Sequence, residues 1–289
     1  MNFITFARMH GVEINPSRLF PSQKIQRCGT TNKPRSGNGA YFWDGDRGWV
    51  MDWSGEAKVV WFSDPNAKPW TEEEKRAWAA KRDAEKQLQW RRYEEAAKQA
   101  EVTLKSAVVE EHVYLKFKGF PEERGLVLED KLLIPMRNVG TNALQGYQAI
   151  WWNQKEMKYE KKMMTGMRAK HAVLFMGNRT TKEVWLVEGY ATGLSVRHAL
   201  KSCGLHAAVV VCFSASNLVQ VAERIPGNRF VFADNDASMT GQQAAEDTKL
   251  PWVMADEEGW DANDLHVRNG LFAVANKIMM CRVGASRYA

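Results

Sequence analysis

Residues 183–256 alternate between short apolar runs and segments with helical spacing, and this alternation limits the possible folds of the chain more than any other feature. The apolar runs are "EVWLVEG", "AAVVVCF", "RFVFADND" and "PWVMAD", and the segments between them are "YATGLSVRHALKSCG", "SASNLVQVAERIPG" and "TGQQAAEDT". Such a β-α-β-α order predicts a parallel sheet with helices on its faces. The continuous apolar runs indicate strands that are buried on both sides. Right-handed crossovers then place all of the strand ends at one edge of the sheet.

Acidic residues follow several of these predicted strands. Glu188 ends the first strand, and Asp234 and Asp236 end the third. Asp261 and Asp264 come after the fourth strand, in "DEEGWDANDLHV". Open α/β sheets bind ligands in the crevice at the carboxyl ends of their strands. A period of two predicts that Asp234 and Asp236 point to the same face.

Carboxylates that converge repel one another unless a cation lies between them. Hard oxygen donors of this kind suit Mg²⁺ or Mn²⁺. The sequence therefore predicts a divalent metal site at the strand ends. The alternative is that these acids cap helices and face water.

The rest of the chain divides by composition. Residues 1–68 contain aromatic runs broken by turn residues, as in "GAYFWDGDRGWVMDWS", which predict a small β-meander. Residues 69–107 lack interior Gly and Pro, and Thr71 with Glu74 predicts a capping box at the start of a long exposed helix. This helix is interpreted as a linker, either a solvated spacer or one that also touches nucleic acid or a partner. Residues 108–177 read as short strands with basic turns, and residues 178–289 hold the alternating segment.

Composition narrows the classes of protein. The net charge of +6 favours a polyanionic partner only weakly. The four cysteines include no Cys-x-x-Cys pair, which predicts free thiols in a reducing cytoplasm. No apolar run is long enough to span a bilayer, so no membrane partner is expected. Basic residues between 108 and 177 either line a track for a polyanion or are ordinary surface charges; they are Lys116, Lys118, Arg137, Lys161, Lys162, Arg168 and Lys170.

A strand that ends in Glu-Gly, followed by a strand that ends in Asp-x-Asp, resembles the Toprim domain of topoisomerases, bacterial-type primases and some nucleases. "VEGYATGLSV", "VFADNDASMTGQQAA" and "DANDL" resemble the versions found in phage and plasmid primases. "HVYLKFKGF" and "LLIPMRNV" resemble the basic subdomain that precedes Toprim there, and residues 1–68 are similar to the amino-terminal module. The resemblance implies an α/β (α+β overall) fold, in which a Rossmann-like Toprim sheet follows a basic mixed subdomain.

The resemblance also implies a function, that of a DNA primase. Such an enzyme makes short RNA primers on single-stranded DNA from ribonucleoside triphosphates during phage or plasmid replication. Glu188, Asp234 and Asp236 would be catalytic and, together with Asp261 and Asp264, would bind Mg²⁺ or Mn²⁺. The basic residues of 108–177, with Lys33 and Arg35, would bind nucleic acid or nucleotide. The sequence has no P-loop, so a separate helicase is the expected partner.

Two departures from the primase pattern stand out. Many such primases begin with a zinc ribbon, but residues 1–68 offer only Cys28 and His10, so no zinc is expected. The tryptophans of this module then either stack on bases or pack a small core; they are Trp43, Trp49, Trp53 and Trp61. Many primases also carry Asp four residues after the Glu, where this chain has Thr192. Either Asp261 or Asp264 compensates, or the metal binds more weakly.

Other functions are compatible with the same residues. The carboxylates would serve a Toprim nuclease equally well, and Thr192 favours a non-catalytic single-stranded DNA-binding replication factor. "DNDAS" loosely matches haloacid-dehalogenase-type phosphatases. Their nucleophilic Asp lies on the first strand, whereas here two strands precede it. A type I topoisomerase would need a tyrosine-bearing gate domain, for which this chain has little room.

Overall fold

The computed structural model describes residues 1–53, 58–62 and 71–286, except for the side chains of Gln23, Glu74 and Ser286. The predicted part of Glu74 in a capping box therefore lies outside the described residues. The chain forms two compact units, Met1–Arg82 and Asp83–Ala289. In the described ranges, no helix is both long and apolar enough to cross a membrane.

The first unit is built on an antiparallel sheet. Helix α1 (Phe3–Met9) precedes strands β1 (Val12–Glu13), β2 (Ser22–Thr30), β3 (Gly39–Trp43), β4 (Gly48–Asp52) and β5 (Val60–Phe62), with a short 3₁₀ turn at Pro16–Arg18. The strands lie in chain order and each pairs antiparallel with the next, which is the predicted meander. The rings of Phe3, Phe6 and Phe62 pack together in its core.

The four tryptophans of this unit differ in their surroundings. Trp43 stacks on Phe3 with ring centroids 4.6 Å apart, so it packs the core. Trp53 and Trp61 are exposed, and the guanidinium of Arg27 lies 5.0 Å from the centroid of Trp53. Trp49 lies directly opposite Trp61 across β4 and β5. Packing therefore accounts for Trp43, whereas Trp53 and Trp61 remain available for contacts with a ligand.

Helix α2 (Glu72–Ser106) follows, and its second half is more than a spacer. Ala96 and Ala100 are buried, and Ala96 joins the main core of the second unit. Trp90 packs under the guanidinium of Arg168, which lies 4.6 Å from the ring centroid. Small residues spaced four apart give the helix a narrow contact stripe, although most of its surface is charged.

The second unit contains one large sheet with layers of helices. Its further strands are β6 (Val108–Glu110), β7 (Gly125–Leu128), β8 (Lys131–Asn138), β9 (Leu144–Asn153), β10 (Lys158–Met163), β11 (Ala172–Met176), β12 (Glu183–Val187), β13 (Ala208–Val211), β14 (Asn228–Ala233) and β15 (Trp252–Met254). Its helices are α3 (Val113–Phe117), α4 (Tyr190–Ser202), α5 (Ala215–Ala222), α6 (Thr240–Asp247), α7 (Ala262–Asn269) and α8 (Leu271–Ser286).

The sheet order is β10-β9-β8-β11-β13-β12-β14-β15, with β7 also paired to β8 and β6 paired to β7. Strands β13, β12, β14 and β15 pair in parallel, and the strands before them pair antiparallel. The predicted mixed α+β fold, with a parallel sheet that carries helices, is confirmed. One continuous sheet thus runs through both the basic region and the parallel region.

Helices cover both faces of the parallel part. Trp185, Val187 and Phe232 pack on the face that carries α4, α7 and α8. Leu186, Val210 and Val231 pack on the opposite face, which carries α5 and α6. Neighbouring strand residues therefore alternate between two cores, as expected for strands that are buried on both sides.

Candidate active site

Glu188 and Asp234 lie next to each other at the point where the strand order reverses. The chain runs from β12 to β13 on one side and then returns to β14 on the other side of β12. Glu188 is the first residue after β12, and Asp234 is the first residue after β14, its parallel neighbour. Such a reversal opens a crevice at the carboxyl ends of the strands, which is where open α/β sheets bind ligands.

Asp234 is the most perturbed acid of the site. Its Oδ1 atom is buried and has no hydrogen-bond partner among the described residues. Burial, reinforced by the charges of Asp261 and Glu188, raises its pKa to about 8. At neutral pH a cation would therefore have to displace a proton from this carboxyl group. A buried oxygen without a partner is the kind of atom that an ion or a substrate group satisfies.

Glu188 is half-buried, and burial raises its pKa, with a further contribution from the charge of Asp236. Its carbonyl accepts a hydrogen bond of 2.8 Å from the backbone N–H of Phe213. Phe213 has a φ of 65°, an unusual conformation for a residue with a side chain. Sparsely populated backbone conformations of this kind cluster at functional sites. No pattern in the sequence predicts this feature.

The sequence predicts that Asp236 and Asp234 share a face through strand alternation. Strand β14 ends at Ala233, however, so alternation along a strand does not set the direction of either side chain. The Oδ2 of Asp236 accepts from the N–H of Gly241 at 3.0 Å, and its Oδ1 accepts from the N–H of Ser238 at 2.9 Å and from the Ser238 hydroxyl. These donors lower its pKa, the hydroxyl most strongly. Asp236 thus stays ionised at the start of α6 while its charge still reaches Glu188.

Two neighbours fix this arrangement. A Cβ on Gly241 would lie 2.3 Å from the backbone oxygen of Asp234, so only glycine lets α6 begin this close to β14. The Asn235 amide donates to the carbonyls of Ala255 and Asp256, at 3.1 and 3.3 Å. Asn235 therefore ties the end of β14 to the loop that leads into α7.

Asp261 and Asp264 form the capping box of α7. The Oδ1 of Asp261 accepts from the N–H groups of Asn263 and Asp264, at 2.6 and 2.9 Å. The Oδ2 of Asp264 accepts from the N–H of Asp261 at 3.2 Å. The structure therefore shows the helix-cap alternative for both acids, and their role as metal ligands stays a prediction.

Thr192 is fully buried and donates its hydroxyl to Oδ2 of Asp261 at 3.0 Å. A carboxylate at position 192 would meet Asp261 directly and repel it unless a proton or a cation lay between them. A threonine here instead gives Asp261 a neutral donor. Sequence reasoning treated Thr192 only as a missing ligand and missed this hydrogen bond.

One lysine lies near the carboxylates. The charges of Asp261, Asp234 and Glu188 all act on the ammonium of Lys161, although the residue as a whole is exposed. Desolvation and the neighbouring Lys118 lower the pKa of Lys161. Of the basic residues predicted for a nucleic-acid track, the structure therefore brings Lys161 to the site, with Lys118 close to it.

The other predicted basic residues have surroundings of their own. Lys116 forms an ion pair of 2.7 Å with Glu111, and Arg137 donates to the carbonyl of Asn142 at 3.1 Å. Lys162 follows Lys161 on β10, so its side chain points to the opposite face. Arg168 packs on Trp90, Lys170 is exposed, and Lys33 and Arg35 belong to the first unit. A nucleic-acid role for this group stays a prediction.

The carboxylate oxygens of Asp234 and Glu188 are ligands of the kind that suits a hard divalent cation. Across residues 1–53, 58–62 and 71–286, however, no three His, Cys, Asp or Glu side chains are arranged to hold a metal ion. Binding would therefore involve side-chain rotation or ligands from water, and Mg²⁺ keeps several waters in most protein sites.

Residues 183–271 match a family model described as the Toprim domain, which is a little under a third of the chain. No curated protein is significantly similar to the chain. A solved structure described as the DnaG catalytic core aligns with 52% of this chain and 52% of its own length, at 15% identity and a TM-score of 0.37. The chain therefore spans about half of that protein. The predicted resemblance to the Toprim domain is confirmed over residues 183–271.

Proposed function

We propose that this chain is a DNA primase, which makes short RNA primers on single-stranded DNA in phage or plasmid replication. The observation that carries the proposal is the pairing of Glu188 and Asp234 at the strand reversal of a Toprim domain, with the ammonium of Lys161 within electrostatic reach. Nucleotidyl transfer requires acidic side chains that bind a divalent cation and a positively charged side chain that binds phosphate.

In the proposed reaction, the 3′ hydroxyl of the primer attacks the α-phosphate of a ribonucleoside triphosphate, and pyrophosphate leaves. Mg²⁺ or Mn²⁺ would be held by Asp234, Asp236 and Glu188, and it would offset the charge of the triphosphate. Lys161 and Lys118, as part of the basic region, would hold phosphates of the template or of the triphosphate. Glu188 would either join the cation or accept the proton of the attacking hydroxyl. Its raised pKa is compatible with proton transfer.

The amino-terminal unit would read the template, with Trp53 and Trp61 as exposed aromatic contacts. The 289 residues contain no P-loop, so strand opening would come from a separate helicase. This division assigns chemistry to residues 178–289 and template contacts to residues 1–68 and 108–177.

The test is incubation of the protein with single-stranded DNA, labelled ribonucleotides and Mg²⁺ or Mn²⁺, followed by sizing of the products. Ladders of short RNA are expected for the natural chain and not for Asp234→Asn or Asp236→Asn. Glu246→Gln is the matched control, because it removes one exposed carboxylate on α6 and should leave synthesis unchanged.

The same reactions separate the other functions. Nicked DNA that depends on Asp234, without RNA products, would establish a nuclease in place of a primase. DNA binding with neither product would establish a non-catalytic replication factor, the alternative that Thr192 favours. Full synthesis by both aspartate variants would refute the assignment of the site.

A further inference from the structure

Three aromatic side chains from α3, β9 and β10 form a partly exposed patch. Trp152 on β9 lies directly opposite Tyr159 on β10, with ring centroids 5.0 Å apart. Phe117, the last residue of α3, lies 5.4 Å from the ring of Tyr159. Phe117 is 64% exposed and Trp152 is 37% exposed. We call Phe117, Trp152 and Tyr159 the aromatic patch.

The patch rests on a rigid base. Tyr114 is fully buried under it and meets the ring of Tyr159 edge-on, with centroids 5.0 Å apart. Strands β9 and β10 pair without a break from Asn153–Lys158 to Gln148–Met163. Tyr159 packs partly against the core, but Phe117 and Trp152 are left open to solvent. Such exposed groups mark interaction sites.

The patch leads toward the carboxylates along one face of β10. Tyr159 and Lys161 are two residues apart, so they share a face and lie about 7 Å apart along the strand. The Lys161 ammonium lies 5.9 Å from the centroid of Tyr114, and the Lys118 ammonium lies 5.8 Å from that of Phe117. The charges of Asp234 and Glu188 also act on Lys161. Two ammonium groups thus lie beside the aromatic rings, and the charges of the carboxylates act on one of them, Lys161.

We propose that the aromatic patch stacks a nucleobase of a single nucleic-acid strand, while Lys161 and Lys118 bind the adjoining phosphate. This inference rests on the proposed function and adds the contacts that hold the strand. Aromatic faces accept any base, and lysines bind the backbone whatever the sequence. Tyr159 and Lys161 lie on the same face of one strand, so a base stacked on the patch would leave its backbone on the face that carries the ammonium. The ammonium groups beside the rings favour this partner over an apolar protein segment.

The test compares two short oligonucleotides of equal length and charge, oligothymidylate and a fully abasic strand, by fluorescence anisotropy with the full chain. The natural protein should bind oligothymidylate at least about five-fold more tightly, the lower end for one base–aromatic stack. Phe117→Leu and Trp152→Leu keep apolar bulk and should lose most of this preference. Phe272→Leu, at a residue 75% exposed on α8, is the matched control and should keep it.

Each other outcome has a definite meaning. Equal affinity of the natural chain for the two strands would overturn the proposal, and so would an equal loss of affinity for both strands in the patch variants. If the patch variants weaken binding of free ATP or UTP but not of oligothymidylate, the base belongs to the incoming nucleotide and the strand assignment is wrong. The binding assay needs no primer synthesis. A base preference that depends on the patch would therefore support this inference even if the protein made no RNA.

Discussion

Asparagine at positions 234 and 236 should change the stability of the metal-free protein in opposite directions. Asp234 is held where its charge is unfavourable, since burial raises its pKa to about 8. Asp236 is held where its charge is favourable, since the Ser238 hydroxyl and the first N–H groups of α6 lower its pKa. Asp234→Asn should therefore stabilise the protein, and Asp236→Asn should destabilise it.

The sign follows from the protons bound in each state. The unfolded chain releases the proton of Asp234 near pH 4, whereas the folded chain keeps it up to about pH 8. The stabilisation contributed by protonated Asp234 is complete below about pH 4 and is lost as the pH rises to about 8. At about 1.4 kcal/mol for each pH unit, the upper limit at neutral pH is about 4 kcal/mol. Relaxation of the site reduces this upper limit, so we expect Asp234→Asn to raise the free energy of unfolding by about 1–3 kcal/mol.

Asp236 has the reverse dependence. Its contribution is present above the ordinary carboxyl pKa and is lost as the pH falls through its lowered folded value. Asparagine turns one accepting oxygen into a donor that faces backbone N–H groups. The expected loss is about 1–2 kcal/mol above about pH 5.

Thermal unfolding in EDTA, from about pH 4 to 8, measures both effects, at about 2–4 °C per kcal/mol for a unit of this size. The natural chain should lose stability relative to Asp234→Asn as the pH rises. Added Mg²⁺ should raise the unfolding temperature of the natural chain and should have less effect on that variant. A shift of both variants in the same direction near pH 8 would refute this account of the two aspartates.

Four further outcomes are expected. Thr192→Val should lower the free energy of unfolding by about 1–3 kcal/mol, because it leaves Asp261 without its 3.0 Å donor, whereas Thr192→Ser should not. Lys161→Ala should flatten the salt dependence of DNA binding by about one phosphate contact, and Lys162→Ala, on the opposite face, should flatten it less. Elemental analysis should find no stoichiometric zinc; one zinc per chain would show that Cys28 and His10 had been misinterpreted. A fragment beginning at Asp83 should bind Mg²⁺ but lose most template-dependent initiation, and equal priming by this fragment would exclude the first unit as template reader.

The parallel sheet was predictable because its strands are apolar and its helices follow the 3.6-residue period. "AAVVVCF" and "RFVFADND" leave little choice but buried strands, and β13 and β14 lie there. The antiparallel part of the sheet was harder to predict from the sequence, since its strands alternate in polarity and some of their partners are distant in the chain. The packing of α2 through Ala96 was not predictable, because alanine carries almost no apolar signal.

The candidate site was predictable only as a set of strand-end acids. Topology places Glu188 beside Asp234, and that placement follows from strand order. The protonation states of Asp236 and Asp234 differ for reasons that residue spacing does not reveal. The Ser238 hydroxyl donates to Asp236, whereas Asp234 Oδ1 has no donor among the described residues. The "DANDL" segment carries a second signal, because two Asp residues three apart are also the pattern of a helix cap.

The single sheet that joins β10 to β15 links Lys161, on β10, to the acids that follow β12 and β14. Changing the span between Lys161 and these acids by moving the strands apart would mean breaking ladder pairs such as Ala172↔Asn138 and Val173↔Arg137, where β8 meets β11. In the proposed reaction, the strand being copied would advance one nucleotide at a time past contacts on this sheet, and the rate of that movement would limit the speed of synthesis.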